Sequence, residues 1–155
     1  MVRIPCHVRK FVGDRDMCFV LCSLKFNHIF GVTEVLVDTG SPFSVLSPTD
    51  AIKLNLPIST MHKGQTICLA GFKFINHPLG QVHLNFKCAE GQHSVDMNMG
   101  VLVPTKISRA ILKDVQSIPS IVGIDFLEDN KLIFYFDPSE KIAYLETKDQ
   151  QQKTI

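Results

Sequence analysis

No stretch of this sequence approaches the roughly 20 consecutive apolar residues that a membrane-crossing helix requires. The opening run, Met1-Val2-Arg3-Ile4-Pro5-Cys6-His7-Val8-Arg9-Lys10, has no apolar h-region and turns basic too early for a secretory leader. Charge of one sign is missing as well: 16 basic residues stand against 15 acidic ones, a net charge of +1. That balance provides no basic stripe to follow nucleic acid and no polybasic patch for anionic lipid. The expectation is therefore no nucleic acid and no membrane among the partners. A phosphate-cradling Walker loop, a dinucleotide fingerprint and a G-x-S-x-G elbow are all lacking. The six histidines form no H-E-x-x-H and no close pair, and Cys18-x3-Cys22 has the wrong spacing for a zinc knuckle. No metal and no cofactor is implied.

Cysteine is present but in a form that excludes a disulfide framework. The five, Cys6, Cys18, Cys22, Cys68 and Cys88, are odd in number and lie in apolar, strand-like runs. Such usage fits a reduced, cytoplasmic protein in which cysteine serves as a small hydrophobe. The 155 residues are 45% hydrophobic and 20% charged, ordinary values for one folded domain. At that size a chain buries roughly 70% of its unfolded surface, so a core forms without staples. The domain is expected over 1-147. A polar tail follows from Lys148 (KDQQQKTI), without any core-facing pattern. No internal repeat or low-complexity tract interrupts the chain.

What is abundant is strand signal. Met17 to Phe26 (MCFVLCSLKF) is a β-rich apolar run closed by the turn pair Asn27-His28, and Ile29 to Val37 (IFGVTEVLV) follows it. Phe43 to Leu46 reads as a short strand. Gln65 to Leu69 and Phe72 to Ile75 flank Ala70-Gly71 as a hairpin. Gln81 to Phe86 alternates, and Val95 to Val103 continues the pattern. Lys131 to Phe136 and Lys141 to Leu145 bracket Asp137-Pro138-Ser139-Glu140, a second hairpin. Helix signals are fewer. Ser47-Pro48-Thr49-Asp50 is a capping serine followed by proline at the first helical position, and that helix must stop before Pro57. Ile124 to Asn130 and the spacing Ile107, Ala110, Ile111, Val115 allow two more.

The sharpest feature is Val35-Leu36-Val37-Asp38-Thr39-Gly40-Ser41, an apolar strand delivering an acid, a hydroxyl residue and a glycine. The glycine permits a tight turn that aims backbone N–H groups at the carboxylate. In isolation the same residues read as a surface turn. A second motif later in the chain, Ile121-Val122-Gly123-Ile124-Asp125-Phe126-Leu127, changes the balance. With D-T-G-S and its strand, F-S-V-L-S and a helix, a central hairpin, I-V-G-I-D-F-L and two closing strands in that order, the chain resembles the retropepsin-like aspartic peptidases from Cys18 to Leu145.

The resemblance implies an all-β, closed barrel-like acid-protease fold of a single lobe with two or three short helices. One D-T-G and room for one lobe imply a symmetric homodimer in which Asp38 is supplied twice. Two carboxylates about 3 Å apart cannot both ionise comfortably, so they share a proton and act as one base and one acid on a peptide or protein substrate. By the same analogy Thr39 braces the two loops across the dimer axis, Gly40 N–H donates to the carboxylate, and Ser41 offers its hydroxyl to the outer oxygen. Phe43 and Ile124 are candidates for the cleft wall, with burial in the core as the alternative for each. Gly123 supports the loop from behind. Asp125, two residues on, is structural, capping a helix or pairing with a base, rather than a second catalytic acid in the same chain. The flap candidates are Ala70, Gly71 and Phe72, with an alternative flap start near Gly64. The run from Pro104 to Pro119 exceeds what a minimal retroviral enzyme needs. A non-catalytic peptide-binding or dimerisation module of the same fold is the competing reading.

Overall fold

The computed structural model describes residues 1–148, so the proposed tail falls, Lys148 apart, outside the described residues. β3 (Asp16–Phe26) and β4 (Ile29–Val37) form a hairpin in register from Phe19–Leu36 to Phe26–Ile29. They are the two longest early apolar runs, and each buries side chains on both faces where they meet. Val20, Leu24 and Val35 point into the main core with Leu84, Phe86 and Phe126. Phe19 and Leu36 point the other way, into a second cluster with Phe74, Leu102, Val115 and Ile121.

The hairpin starts an eight-stranded sheet with β2 (His7–Lys10) at one edge and, beyond β4, the short β9 (Ser120–Val122) and β5 (Val45–Leu46). β8 (Gly91–Pro104), β7 (Phe72–Cys88) and β6 (Thr66–Leu69) complete it. β7 also pairs with β3, Leu24 opposite Leu84. That pairing closes β3, β4, β9, β5, β8 and β7 into a barrel around the main core. The all-β, barrel-like fold expected from the sequence is the one observed, with three short α-helices among the described residues: α1 (Pro48–Lys53), α2 (Arg109–Val115) and α3 (Ile124–Asp129).

Three local features differ from the sequence expectation. The runs at 72–75 and 81–86 are one 17-residue strand, β7, because Pro78 sits at a register shift opposite Gly100 where no ladder N–H is needed. A second, three-stranded sheet joins β1 (Arg3–Pro5), β11 (Ile142–Thr147) and β10 (Leu132–Asp137). β1 gave no sequence signal, being three residues long with a proline. Ile107, assigned to a helical apolar face, is exposed, whereas Val115 of the same set is buried.

A buried polar network braces α1. Ser47 caps it by accepting the Asp50 N–H at 3.1 Å. The Asp50 carboxylate accepts hydroxyls from Thr33 and Ser120, both at 2.5 Å, and Ser120 Oγ accepts the Ser47 N–H at 2.9 Å. One acid thus ties the helix to β4 and β9. Burial, and then this nearby carboxylate, push the Cys22 thiol up from 9.0 to about 12. Because the thiolate is disfavoured only in the folded state, the associated stability is complete below the unfolded pKa and is lost as pH rises from about 9 toward 12. Urea midpoints are expected to decline above pH 9, and to decline less steeply in Cys22→Ala. Identical alkaline slopes for the two proteins would rule the assignment out.

Candidate active site

The site begins where β4 ends. β9 runs parallel to β4 with Val37 opposite Val122, and the Asp38 N–H donates to the Val122 carbonyl at 3.0 Å. This last ladder bond fixes the Asp38 backbone at the barrel mouth. The chain then turns: Ser41 N–H donates to the Asp38 carbonyl at 3.1 Å, and Gly40 N–H to Asp38 Oδ1 at 2.9 Å. Asp38 Oδ2 has no hydrogen-bond partner among the described residues. One oxygen is held and the other is open. Thr39 and Gly40 are exposed beside it.

The returning segment passes behind the end of β9. Val45 pairs antiparallel with Ile121 and parallel with Gly100, so β9 lies between β4 and β5. Ile124 N–H donates to the Ser41 carbonyl at 2.8 Å, and Gly123 N–H to Ser44 Oγ at 3.0 Å. This crossing is what requires glycine at 123. A Cβ there would lie 2.4 Å from the Ser41 carbonyl oxygen and 2.9 Å from that of Phe43, both backbone atoms.

Asp125 locks the same crossing. Its carboxylate accepts the Ser44 N–H at 2.9 Å, the Ser44 hydroxyl at 2.7 Å and the Phe126 N–H at 2.8 Å. Both of its oxygens are engaged in bracing the loop against α3. Ser41 departs from the expected arrangement. Its hydroxyl donates to the Phe43 carbonyl at 2.8 Å rather than to Asp38, because the 41–43 turn brings that carbonyl within reach.

Two cavities flank Asp38 and share Asp38, Leu69 and Ile121. The first, about 220 Å³, is walled by the turn through Pro42 and Phe43 and by Ile67 and Cys68 of β6. The second, about 270 Å³, is walled by Phe11 and Met17, by Ala70 and Phe72, and by Asp114 and Ile118 from the α2 region. The β6–β7 hairpin overhangs both. Its two-residue turn has positive φ at Ala70 (+51°) and Gly71 (+81°), the geometry that hairpins favour. Glycine takes that conformation freely; alanine does so at a cost of about 1 kcal/mol.

Of the residues singled out from sequence, Asp38, Gly40, Ser41 and Phe43 come together at the first cavity, and Ala70 and Phe72 at the second. Gly71 is at the hairpin tip and lines neither. Ile124 lines neither cavity and packs against the main core. Sequence reasoning missed Leu69 and Ile121, which both cavities use, and the whole wall from Phe11 and α2. Ile121 belongs to the I-V-G motif, but nothing in the motif points it at a cavity; the others carry no local motif, and the closed barrel alone makes them neighbours.

The chain matches no protein-family model and no curated protein. Among solved structures it is similar to a retropepsin-like aspartic protease from Rickettsia conorii. The TM-score is 0.52 at 17% identity, over 94% of this chain and 89% of that one. The fold is retropepsin-like. A retroviral protease-like domain of Ddi1 from Leishmania major is also similar, with TM-score 0.45 at 13% identity over 86% of this chain and 96% of that one. Within this retropepsin-like fold the D-T-G turn occupies the barrel mouth, and the hairpin over it is β6–β7. Among the described residues no helix is long and apolar enough to cross a membrane, and no cluster of histidine, cysteine and acidic residues suits a metal ion.

Proposed function

We propose that the chain is an aspartic endopeptidase that works as a homodimer, with Asp38 from each copy forming the acid–base pair. The observation that carries this reading is Asp38 itself: one oxygen fixed by the Gly40 N–H, the other open, between two cavities under a hairpin. An extended polypeptide lying along the mouth would place successive side chains into alternating pockets. The ionised member of the pair takes a proton from water as its oxygen attacks the scissile carbonyl carbon. The protonated member gives its proton to the carbonyl oxygen. The gem-diol so formed breaks its C–N bond as the amine nitrogen gains a proton, and no acyl-enzyme is needed. A lone Asp38 supplies only half of this pair.

The surface that would join two copies is the outer edge of β10. It is the end strand of its sheet, Leu132-Ile133-Phe134-Tyr135-Phe136 carries no charge, and Ile133, Tyr135 and Phe136 are exposed. An uncharged edge that no strand pairs among the described residues is a template for a further strand. Antiparallel pairing of two β10 strands centred on Phe134 sets Lys131 opposite the partner's Asp137. The Ser139 hydroxyl and the Glu140 N–H hold the Asp137 carboxyl below its ordinary range, so it remains an anion for that pairing. Ile133→Lys, on an exposed position, is expected to leave monomer stability within about 0.5 kcal/mol. It should weaken dimerisation at least tenfold by sedimentation and lower activity in step.

The test of function is mass spectrometry of a denatured-protein digest at mildly acidic pH, beside sedimentation of the same sample. Cleavage within extended chains by a dimeric species is the expected result. A strict monomer at high concentration that cleaves nothing removes the proposal and leaves the peptide-binding module.

A further inference from the structure

Resting on the peptidase reading, we propose that the second cavity selects a lysine or arginine side chain of the substrate and that Asp114 is the residue that reads its charge. The floor of the cavity is apolar and closed: Leu36, Ile118 and Ile121 are all buried. Its mouth is different, since Asp114 and Val12 are both exposed there. An apolar floor with an acid at the rim fits a side chain that is aliphatic along its stem and cationic at its end.

The charges around the cavity support one sign only. No lysine, arginine or histidine lines it, and its two charged residues, Asp38 and Asp114, are both acids. The Asp114 carboxylate has no hydrogen bond or ion pair among the described residues; its backbone carbonyl accepts from the Ser117 hydroxyl and N–H and from the capping Gln116 N–H. Its place in α2 is unfavourable for an anion. It lies in the last turn, where the helix dipole favours a cation such as the adjacent Lys113. The carboxylate therefore makes no fold contact among the described residues, and Asp114 lines the same cavity as Asp38. The first cavity has no charged lining besides Asp38. Because the two-fold axis of the homodimer runs between the paired Asp38 side chains, the same cavity is presented on each side of the cut, and a basic preference should recur at the two symmetry-related positions. The α2 segment supplies the discriminating group.

The test uses matched peptides carrying lysine, norleucine or glutamate at each position around the cut. Norleucine keeps the aliphatic stem and lacks the charge. At the two symmetry-related positions, kcat/KM is expected to favour lysine over norleucine by about fivefold, the upper range for an exposed ion pair. The preference should shrink in high salt. Asp114→Asn should bring the lysine-to-norleucine ratio of kcat/KM, read within the one variant, to about one, and Asp114→Lys should turn the preference toward glutamate. Binding of the same peptides, with a reduced, uncleavable central bond, to the Asp38→Asn protein by calorimetry reads the same discrimination without catalysis. A lysine preference that survives Asp114→Asn, or its absence at every position, overturns the proposal. Binding that discriminates at Asp114 while the native protein cleaves nothing would instead refute the peptidase reading and leave this one standing. Failure of every peptide to bind or be cut ends both.

Discussion

Asp38→Asn is expected to abolish peptide cleavage, by on the order of 10⁴-fold or more, while leaving the fold intact. The amide can neither take a proton from water nor give one to the carbonyl, and both halves of the pair are lost at once. The substitution is nearly isosteric and keeps an oxygen to accept the Gly40 N–H now donated at 2.9 Å, so urea midpoints should move little. Mixing gives a sharper version. If copies exchange, equal amounts of native and Asp38→Asn protein leave only about a quarter of dimers with two aspartates, so activity per native chain should halve. Activity that stays proportional to the native chain would show that one Asp38 suffices, and the paired mechanism would be lost.

Gly123→Ala should be strongly destabilising. The new Cβ would meet two backbone carbonyl oxygens, at 2.4 Å and 2.9 Å. Neither is the far end of a side chain that can swing away. Relief requires the 41–43 turn to separate from β9, breaking the Ile124-to-Ser41 and Gly123-to-Ser44 hydrogen bonds. Overpacking of this kind costs about 3 kcal/mol. By contrast Ser41→Ala removes one exposed hydroxyl bond, worth about 1 kcal/mol or less. Urea unfolding of both variants gives the comparison. Since the same turn carries Asp38, residual folded Gly123→Ala protein should also cleave poorly. A cost below about 0.5 kcal/mol would mean the crossing is not the constraint described.

The structure places the D-T-G turn and the I-V-G segment against each other, as the order of motifs in the sequence suggested. Both are local patterns with strong residue requirements: an apolar strand must deliver the acid, and only glycine permits the crossing. Asp125 was legible for a similar reason, since its position after Gly123 puts it at the start of α3. Ser41 was not. Its hydroxyl had two acceptors within reach, and the choice of the Phe43 carbonyl depends on backbone angles that residue types do not specify. Asp50 illustrates a larger gap. Its place near the start of α1 marks only a helix N-terminus, yet its carboxylate joins three segments through Thr33 and Ser120.

By itself the chain's order of residues determined the strand-rich class, the hairpins, the capped α1 and the acid-bearing turn, because each follows from alternation, turn chemistry or glycine at short range. Only the tertiary structure decided that β3 closes onto β7, that Ile124 packs inward while Phe43 lines a cavity, and that Asp114 of α2 lines the same cavity as Asp38. These depend on which distant surfaces meet when the barrel closes, and burial of apolar area has no direction that a local pattern could record.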